Sequence, residues 1–330
     1  MGTSSRRATI AVLLACICGL AACGGSDAPP PQEASPPLLR YKAGLSLDPD
    51  RSPRAREGTL RVSRISYRSV DGDRVPALLA VPTHARPLGC VIIQGGLNTP
   101  KEATADLRQA LAVARLASFT IDPRNVGERG SQEELAAAIS SPEGLRTVLV
   151  ATVVELRLGV DYLSRRRICR DNIAFMGSAF GSMAGVILSA QDRRIKGALL
   201  SSVGATFKQA LLARPLAAER VPNLPNYIPT ATADPAALKH AVDVLSPYDP
   251  KRWIGRIAPR PVMLMNGRFD PTVLPGDAME LMGAARRPKT LLYYDGGPDP
   301  FAEGPARDLN LLRAGRFLVE TMDLPFPTSS

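Results

Sequence analysis

The stretch IAFMGSAFGSMAG, residues 173–185, decides how the chain folds. It begins with an apolar run, Ile173 to Met176, that has the length of a buried strand. Gly177 and Gly181 then frame a tight turn, and the residues beyond the turn are typical of a helix. A buried strand that passes through a glycine-rich turn into a helix is typical of sheets whose strands run parallel.

Strand and helix patterns alternate along the rest of the chain. Strands are predicted over residues 59–69, 74–82, 90–93, 117–121, 172–176, 195–201, 261–266 and 290–294. Helices are predicted over residues 101–116, 142–165, 182–190, 274–285 and 305–322. The first two strands flank Asp71-Gly72, a dipeptide typical of hairpin turns. The pattern predicts an α/β fold with a mostly parallel, twisted sheet of about eight strands and helices on both faces.

One domain is predicted over residues 58–325, and residues 326–330 form a short tail. A long, proline-punctuated segment, residues 204–249, separates the predicted strands 195–201 and 261–266. It is therefore predicted to be an insertion after the sixth strand.

The N-terminus has the features of an export signal. Arg6 and Arg7 precede an apolar run, 8–22, which is too short for a comfortable membrane span. Small residues precede Cys23 in a pattern that resembles a bacterial lipobox, so residues 1–22 are predicted to be a lipoprotein signal peptide and Cys23 the lipidated residue. The alternative is an ordinary signal with a chance cysteine. The expected location is the periplasm or the cell surface, with the lipid holding the protein to a membrane.

Residues 23–57 are rich in Pro, Ser and Ala and are predicted to be a disordered tether. The formal net charge of the chain is +10, but its basic residues are scattered and its aromatic residues are few. No nucleic-acid partner is therefore expected. The sequence also contains no metal-binding cluster and no nucleotide loop, so neither a metal nor a cofactor is expected.

Several short motifs together resemble the α/β-hydrolase superfamily, and in particular its acetyl-xylan-esterase-like and dienelactone-hydrolase-like members. The motifs are the hairpin 69–82, Gln94-Gly95-Gly96, Asp122-Pro123-Arg124, Gly127-Glu128-Arg129, the frame Gly177 to Gly181, Asp192 to Ile195, 257–261, Asn266 to Asp270, and 288–297. The resemblance covers nearly all of residues 57–325. It implies a hydrolase fold in which catalysis, where it occurs, uses loops at the carboxyl ends of the strands.

The resemblance also implies where a catalytic triad would lie. The nucleophile of the family occupies the centre of G-x-S-x-G, and here that position is Ala179. The acid position is Asp270, for which the alternative role is a turn aspartate that caps the next helix. The histidine position is Pro298. The positions of the oxyanion hole are Gly95, Gly96 and Phe180.

Other residues are weaker candidates for the missing groups. Ser178 and Ser182 flank the central alanine, and each is also explained as an ordinary turn or first-turn residue. The chain has two histidines. His84 is expected at the opposite end of the sheet, whereas His240 lies in the insertion and is either a surface residue or a distant substitute for the base.

The resemblance places Cys90 and Cys169 at the amino ends of neighbouring strands. A disulfide between them and two separate buried thiols are both open. It also implies that the 204–249 insertion covers the site as a cap, either as a lid that shapes a pocket or as a structural cover.

Three functional hypotheses follow. The first is a non-catalytic, lipid-anchored hydrolase-fold protein that binds a small molecule or a protein. The second is an active serine-type carboxylic-ester hydrolase, acetyl-esterase-like, with a non-standard catalytic arrangement. The third is a scaffolding lipoprotein without a small ligand. The sequence favours the first, because Ala179 and Pro298 lie in two separate loops and neither can serve in a proton relay.

Overall fold

The strands that the structure describes form a single mixed sheet. A computed structural model describes residues 39–41, 50–51, 55–166, 168–169, 171–220 and 227–325. The predicted signal peptide, Cys23 and the tail 326–330 lie outside these residues. The strands are β1 (Asp50–Arg51), β2 (Ala55–Glu57), β3 (Leu60–Arg68), β4 (Arg74–Pro82), β5 (Gly89–Gln94), β6 (Leu116–Ile121), β7 (Ile173–Ser178), β8 (Ile195–Ser201), β9 (Val262–Gly267) and β10 (Lys289–Tyr294).

The strand order is β1-β3-β4-β6-β5-β7-β8-β9-β10, and β2 also pairs with β3. The six strands from β6 to β10 in this order run parallel, while β4 is antiparallel to β3 and β6. The predicted mostly parallel sheet of about eight strands is therefore confirmed and corresponds to β3–β10. The two additional strands are short, and both pair with β3 on the side away from β4.

Helices cover both faces of the sheet, as predicted. They are α1 (Ala105–Val113), α2 (Gln132–Ala138), α3 (Pro142–Arg166), α4 (Phe180–Gln191), α5 (Phe207–Ala218), α6 (Pro235–Leu245), α7 (Pro250–Trp253), α8 (Pro275–Ala284) and α9 (Arg307–Thr321). Side chains alternate along β5, so that Ile92 packs in one apolar cluster with α3 and α4, and Ile93 packs in another with α1 and α9. Among the described residues, no helix is long and apolar enough to cross a membrane.

The helix predicted over residues 101–116 is shorter in the structure. Lys101–Thr104 form a 3₁₀ turn, and the helix proper ends at Val113. Arg115 has a φ of 56°, which cannot continue a right-handed helix, and Leu116 is already the first residue of β6.

Most of the tether predicted over residues 23–57 lies outside the described residues, but three described segments near its C-terminal end contact the domain. Leu39 is fully buried in the core, and its carbonyl accepts a hydrogen bond of 2.9 Å from Nη1 of Arg157. The ring of Tyr41 lies 4.5 Å from the guanidinium of the same arginine. Together with the pairing of β1 and β2 to β3, these contacts attach residues 39, 41, 50–51 and 55–57 to the domain.

Candidate functional site

The turn between β7 and α4 holds Ala179 in an unusual conformation. Its φ and ψ are 50° and −116°, a region that residues other than glycine rarely adopt. Such a conformation costs about 1–3 kcal/mol and persists only where the surroundings enforce it. Here the Ala179 N–H donates to the carbonyl of Ser201 at 2.9 Å, and its carbonyl accepts from the N–H of Met183 at 3.1 Å.

The two glycines of this turn are required by close packing. A Cβ atom on Gly181 would lie 2.0 Å from the carbonyl oxygen of Gln94, and one on Gly177 would lie 2.8 Å from the carbonyl carbon of Gly181. Distances below 3.0 Å are not tolerated without movement of the backbone. The sequence thus keeps the frame that forces the strained turn, although an alanine occupies its apex.

Asp270 lies in the loop after β9 and is 2% exposed. Its Oδ1 accepts hydrogen bonds from the N–H and the hydroxyl of Thr272, at 2.7 and 2.6 Å, and from the N–H of Val273 at 3.2 Å. Its Oδ2 accepts from the hydroxyl of Ser202 at 2.7 Å. Asp270 does not cap α8, whose N-cap residue is Leu274. The carboxylate instead joins the loop after β8 to the loop after β9, and its oxygens accept hydrogen bonds from hydroxyl and backbone N–H groups.

Pro298 follows β10 and lines the same cavity as Ala179. The loop that carries it is held by Tyr294, whose hydroxyl donates to the carbonyl of Gly297 at 2.6 Å. Burial, together with the nearby carboxylates, raises the pKa of Tyr294 well above its ordinary value. The phenol therefore stays neutral and acts here as a hydrogen-bond donor.

The two serines that flank the apex differ in environment. Ser182 is fully buried; its hydroxyl donates to the carbonyl of Ser201 at 2.9 Å and accepts from the Ser201 N–H at 3.0 Å. This exchange connects α4 to β8, so the structure gives Ser182 a structural role. Ser178 is half-buried and lines the cavity beside Ala179.

Neither histidine reaches the apex. His240 lies on α6 with 59% of its side chain exposed, and its Nε2 lies 2.9 Å from Oε1 of Glu143 at the start of α3. His84 is exposed in the connection between β4 and β5, at the amino end of the parallel strands. Of the residues that line the two cavities at Ala179, none is a histidine.

Two cavities meet at the apex of the turn. The larger has a volume of about 280 Å³ and extends towards Pro298 and Phe301. The smaller, about 140 Å³, lies beneath α5 of the insertion. They share four lining residues, which are Gly96, Ala179, Ser202 and Thr272. The site is therefore a pair of adjoining chambers with the methyl group of Ala179 at their junction.

Comparison with solved structures supports this architecture. No family model and no curated protein sequence matches the chain. Among solved structures, acetyl xylan esterase 1 from Thermoanaerobacterium sp. JW/SL YS485 has a TM-score of 0.67 and 15% identity over 86% of this chain and 91% of that one. An acetyl xylan esterase from Paenibacillus sp. R4 gives 0.67 and 16%, covering 84% of this chain and 90% of that one.

A cold-adapted esterase from an Arctic intertidal metagenomic library has a TM-score of 0.60 and 18% identity, covering 84% of this chain and all of that one. The structural similarity establishes the architecture, but at sequence identities this low it leaves the activity open. The chain has the α/β-hydrolase fold.

Within the α/β-hydrolase fold, the positions expected for the oxyanion hole face the chambers. Gly95 and Gly96 line the larger one, and Gly96 and Phe180 line the smaller one. No side chain caps the start of α4 at Ala179. The first N–H groups of this helix thus have no side-chain cap, and a positive partial charge is expected at this end of the helix, where Ala179 lines both chambers.

Sequence reasoning missed three residues of this site. Ser202 and Thr272 bind the Asp270 carboxylate, and Arg214 on α5 lines the smaller chamber. The only available signal for Ser202 was its place directly after the strand β8, at the edge where the site lies. Within the described residues, no group of three or more His, Cys, Asp or Glu side chains is placed to hold a metal ion.

The structure joins Cys90 and Cys169 in a disulfide, with a Cα–Cα distance of 5.0 Å. Both residues are buried, and Cys90 pairs in register with Ile173 at the amino end of β7. The bond therefore lies at the amino ends of the parallel strands, whereas Ala179 lies at their carboxyl ends.

Proposed function

We propose that this protein is a non-catalytic member of the hydrolase fold that binds a small ligand at the elbow of β7 and α4. One observation carries the proposal: the strained turn that normally presents a nucleophile presents the methyl group of Ala179, and Pro298 lines the same chamber. A methyl group cannot attack a carbonyl, and a proline ring nitrogen in a peptide bond cannot accept a proton.

The size of the expected loss in catalytic rate supports a binding role. Removal of the members of a serine triad typically lowers kcat by about 10⁶-fold, leaving about 10³ to 10⁴ over water from the oxyanion hole and substrate binding. In this chain the acid position survives, but Ser202 and Thr272 donate to Asp270 where a histidine would do so. The remaining features are a preformed apolar cavity and a helix N-terminus, and both serve binding.

The alternative, an ester hydrolase with an unusual arrangement, finds less support in the geometry. Both hydrogen-bonding capacities of the Ser182 hydroxyl are engaged by the backbone of Ser201. Ser178 lines the larger chamber, but His84 and His240 lie elsewhere. An unactivated serine is a poor nucleophile.

The proposal includes export and anchoring by a lipid on Cys23, which the pattern of residues 1–23 supports. The test is metabolic labelling with a palmitate analogue in a bacterial host that processes lipoproteins. We expect label in the membrane fraction of the wild-type chain and none after Cys23→Ala. Equal label in both would reject the anchor and leave the ligand-binding proposal untouched.

The decisive test of the non-catalytic role compares the wild-type chain with the double variant Ala179→Ser/Pro298→His. We expect the wild-type chain to hydrolyse p-nitrophenyl acetate at the background rate and to remain unlabelled by a fluorophosphonate. The double variant should gain labelling and at least about tenfold in hydrolysis, because the turn geometry is already in place.

Ser178→Ala in the wild-type chain tests the fallback serine that lines the larger chamber, and it should change neither readout. Hydrolysis by the wild-type chain that disappears in Ser178→Ala or Ser182→Ala would overturn the proposal in favour of the esterase.

A further inference from the structure

Helix α5 forms one wall of the smaller chamber, and the small side chains on this wall leave the chamber open. On α5, the lining residues Phe207, Ala210, Arg214 and Ala217 recur at helical spacing and therefore share one face. Ala213 completes the wall. Most side chains on this face are methyl groups, so the helix covers the elbow without filling the space beneath it.

One residue gives this chamber a charge. Arg214 is 6% exposed, and its guanidinium lies 5.0 Å from the ring centroid of Tyr227, which also lines the chamber. Burial lowers the pKa of Arg214, because a desolvated guanidinium is less favourable in its charged form. Even so, arginine stays protonated in proteins, so a cationic side chain lines this chamber.

The larger chamber has the opposite character at its far end. Asp299 lines it there. The carboxylate of Asp270 instead lies behind the hydroxyls of Ser202 and Thr272, which line both chambers. Between the ends, the lining is largely apolar and includes Ile93, Leu107 and Phe301. The paired chambers are therefore positive beneath α5 and negative near Asp299.

The residues at the junction between the chambers have small side chains. Ala179 contributes only a methyl group there, and Gly96 contributes no side chain at all. A chain of methylene groups passes a junction of this kind without meeting a polar side chain other than the hydroxyls of Ser202 and Thr272.

We propose that the two chambers form one site for an anionic amphiphile. Its carboxylate or comparable anionic head lies against Arg214 beneath α5, and its apolar chain extends past Ala179 into the larger chamber. The opposite orientation would place the anion near Asp299, where like charges repel it. This inference rests on the proposed binding function and adds the chemical class of the ligand.

The test uses octanoate, octanol and octylamine on the wild-type chain, each below the concentration at which it aggregates, with affinity measured by titration calorimetry. We expect octanoate to bind at least about tenfold more tightly than octanol, equivalent to about 1.4 kcal/mol. Octylamine should bind more weakly than octanol. This comparison of ligands needs no variant and so does not depend on the folding of one.

Variants then assign the preference to its residue. Arg214→Met should weaken octanoate about tenfold and leave octanol nearly unchanged, while Arg214→Lys keeps most of the preference because it keeps the charge. Ala213→Leu should weaken both ligands by filling the chamber. The matched control is Ala218→Leu, since Ala218 is exposed on the same helix and does not line the chamber.

The outcomes separate the two proposals. Equal affinities for octanoate and octanol, both reduced by Ala213→Leu, would overturn the anionic class and retain the binding site. If Ala213→Leu weakens neither ligand, the chambers are not the site, and this inference fails with the binding proposal. Absence of any octanoate binding overturns this inference alone, because the esterase assay judges the catalytic question independently.

Discussion

The hydroxyl of Ser202 donates a hydrogen bond of 2.7 Å to Oδ2 of Asp270, the carboxylate at the acid position of the fold. Both residues are buried, at 3% and 2% exposure. Ser202 also has a φ of 49°, so the backbone after β8 turns sharply to bring its side chain to the loop after β9. The carboxylate of Asp270 thereby connects two loops of the candidate site.

The first prediction concerns this connection. Ser202→Ala should lower the free energy of unfolding by about 1–3 kcal/mol, because it leaves a buried carboxylate oxygen without a donor. Urea denaturation measures the change. Thr147→Ala is the control: Thr147 is exposed on α3, its hydroxyl donates only to a carbonyl of its own helix, and little change is expected. Equal effects of the two variants would show that the Ser202 bond is not important for stability.

The fold was predictable from the sequence because its signals are local and repeated. The strands β4 and β8 begin and end at the predicted residues, since alternating or continuous apolar runs there are bounded by turn residues. The stretch from Ile173 to Gly185 fixed the central strand, the turn and the helix. The burial of Leu39, within the predicted tether, was not predictable, because its carbonyl accepts from Arg157, which lies 118 positions later in the sequence.

The candidate site was predictable only in part. A motif frame locates Ala179, Asp270 and Pro298, because such frames have fixed spacing from strand ends. The partners of Asp270 do not belong to the frame. Ser202 reaches the carboxylate through a left-handed backbone conformation, which no local pattern predicts for a serine. Arg214 likewise sits in a helix whose position over the elbow depends on tertiary packing.

The second prediction concerns strain at the elbow. Ala179→Gly should stabilise the protein by about 1 kcal/mol, because glycine adopts a φ of 50° and a ψ of −116° without steric cost. The same substitution at Ala110, inside α1, should destabilise by about 1 kcal/mol. Thermal unfolding of both variants shows whether each substitution stabilises or destabilises the protein. Destabilisation at both positions would mean that the elbow is not strained.

The third prediction concerns the disulfide. Cys90 and Cys169 are separated by 79 residues, and a cross-link that closes a loop of this length is worth about 4.5 kcal/mol in the chain-entropy account. We expect reductant to lower the midpoint of urea unfolding of the wild-type chain. The variant Cys90→Ala/Cys169→Ala should be less stable from the start and insensitive to reductant. A midpoint of the double variant that still depends on reductant would assign the effect to another cysteine.

The last prediction is a pH dependence that arises beside the site, at the carboxyl end of β6. The ammonium of Lys101 is buried at 1% exposure and lies 2.6 Å from Asp122 and 2.7 Å from Glu128. The hydrogen bond from Lys101 lowers the pKa of Glu128. Burial alone lowers the pKa of Lys101, but its hydrogen bonds to Asp122 and Glu128 outweigh this and raise it.

The two shifts act at opposite ends of the pH scale. A carboxyl whose pKa is lower in the folded state stabilises the protein above its unfolded pKa, about 4.3 for Glu, and loses that contribution as the pH falls through the folded value. An amine with a raised pKa contributes fully below its unfolded pKa, about 10.4 for Lys, and loses the contribution as the pH rises through the folded value. Stability should therefore decline outside this range on both sides.

Glu128→Gln isolates the acid side of this profile. The variant should be less stable than the wild-type chain at pH 7, and the difference should vanish as the pH falls through the lowered pKa of Glu128. Glu320→Gln is the control, because the Arg316–Glu320 pair is exposed and such pairs contribute little. Urea denaturation across the acid range measures both. A Glu128→Gln difference that persists unchanged at low pH would show that the glutamate acts through packing and not through its charge.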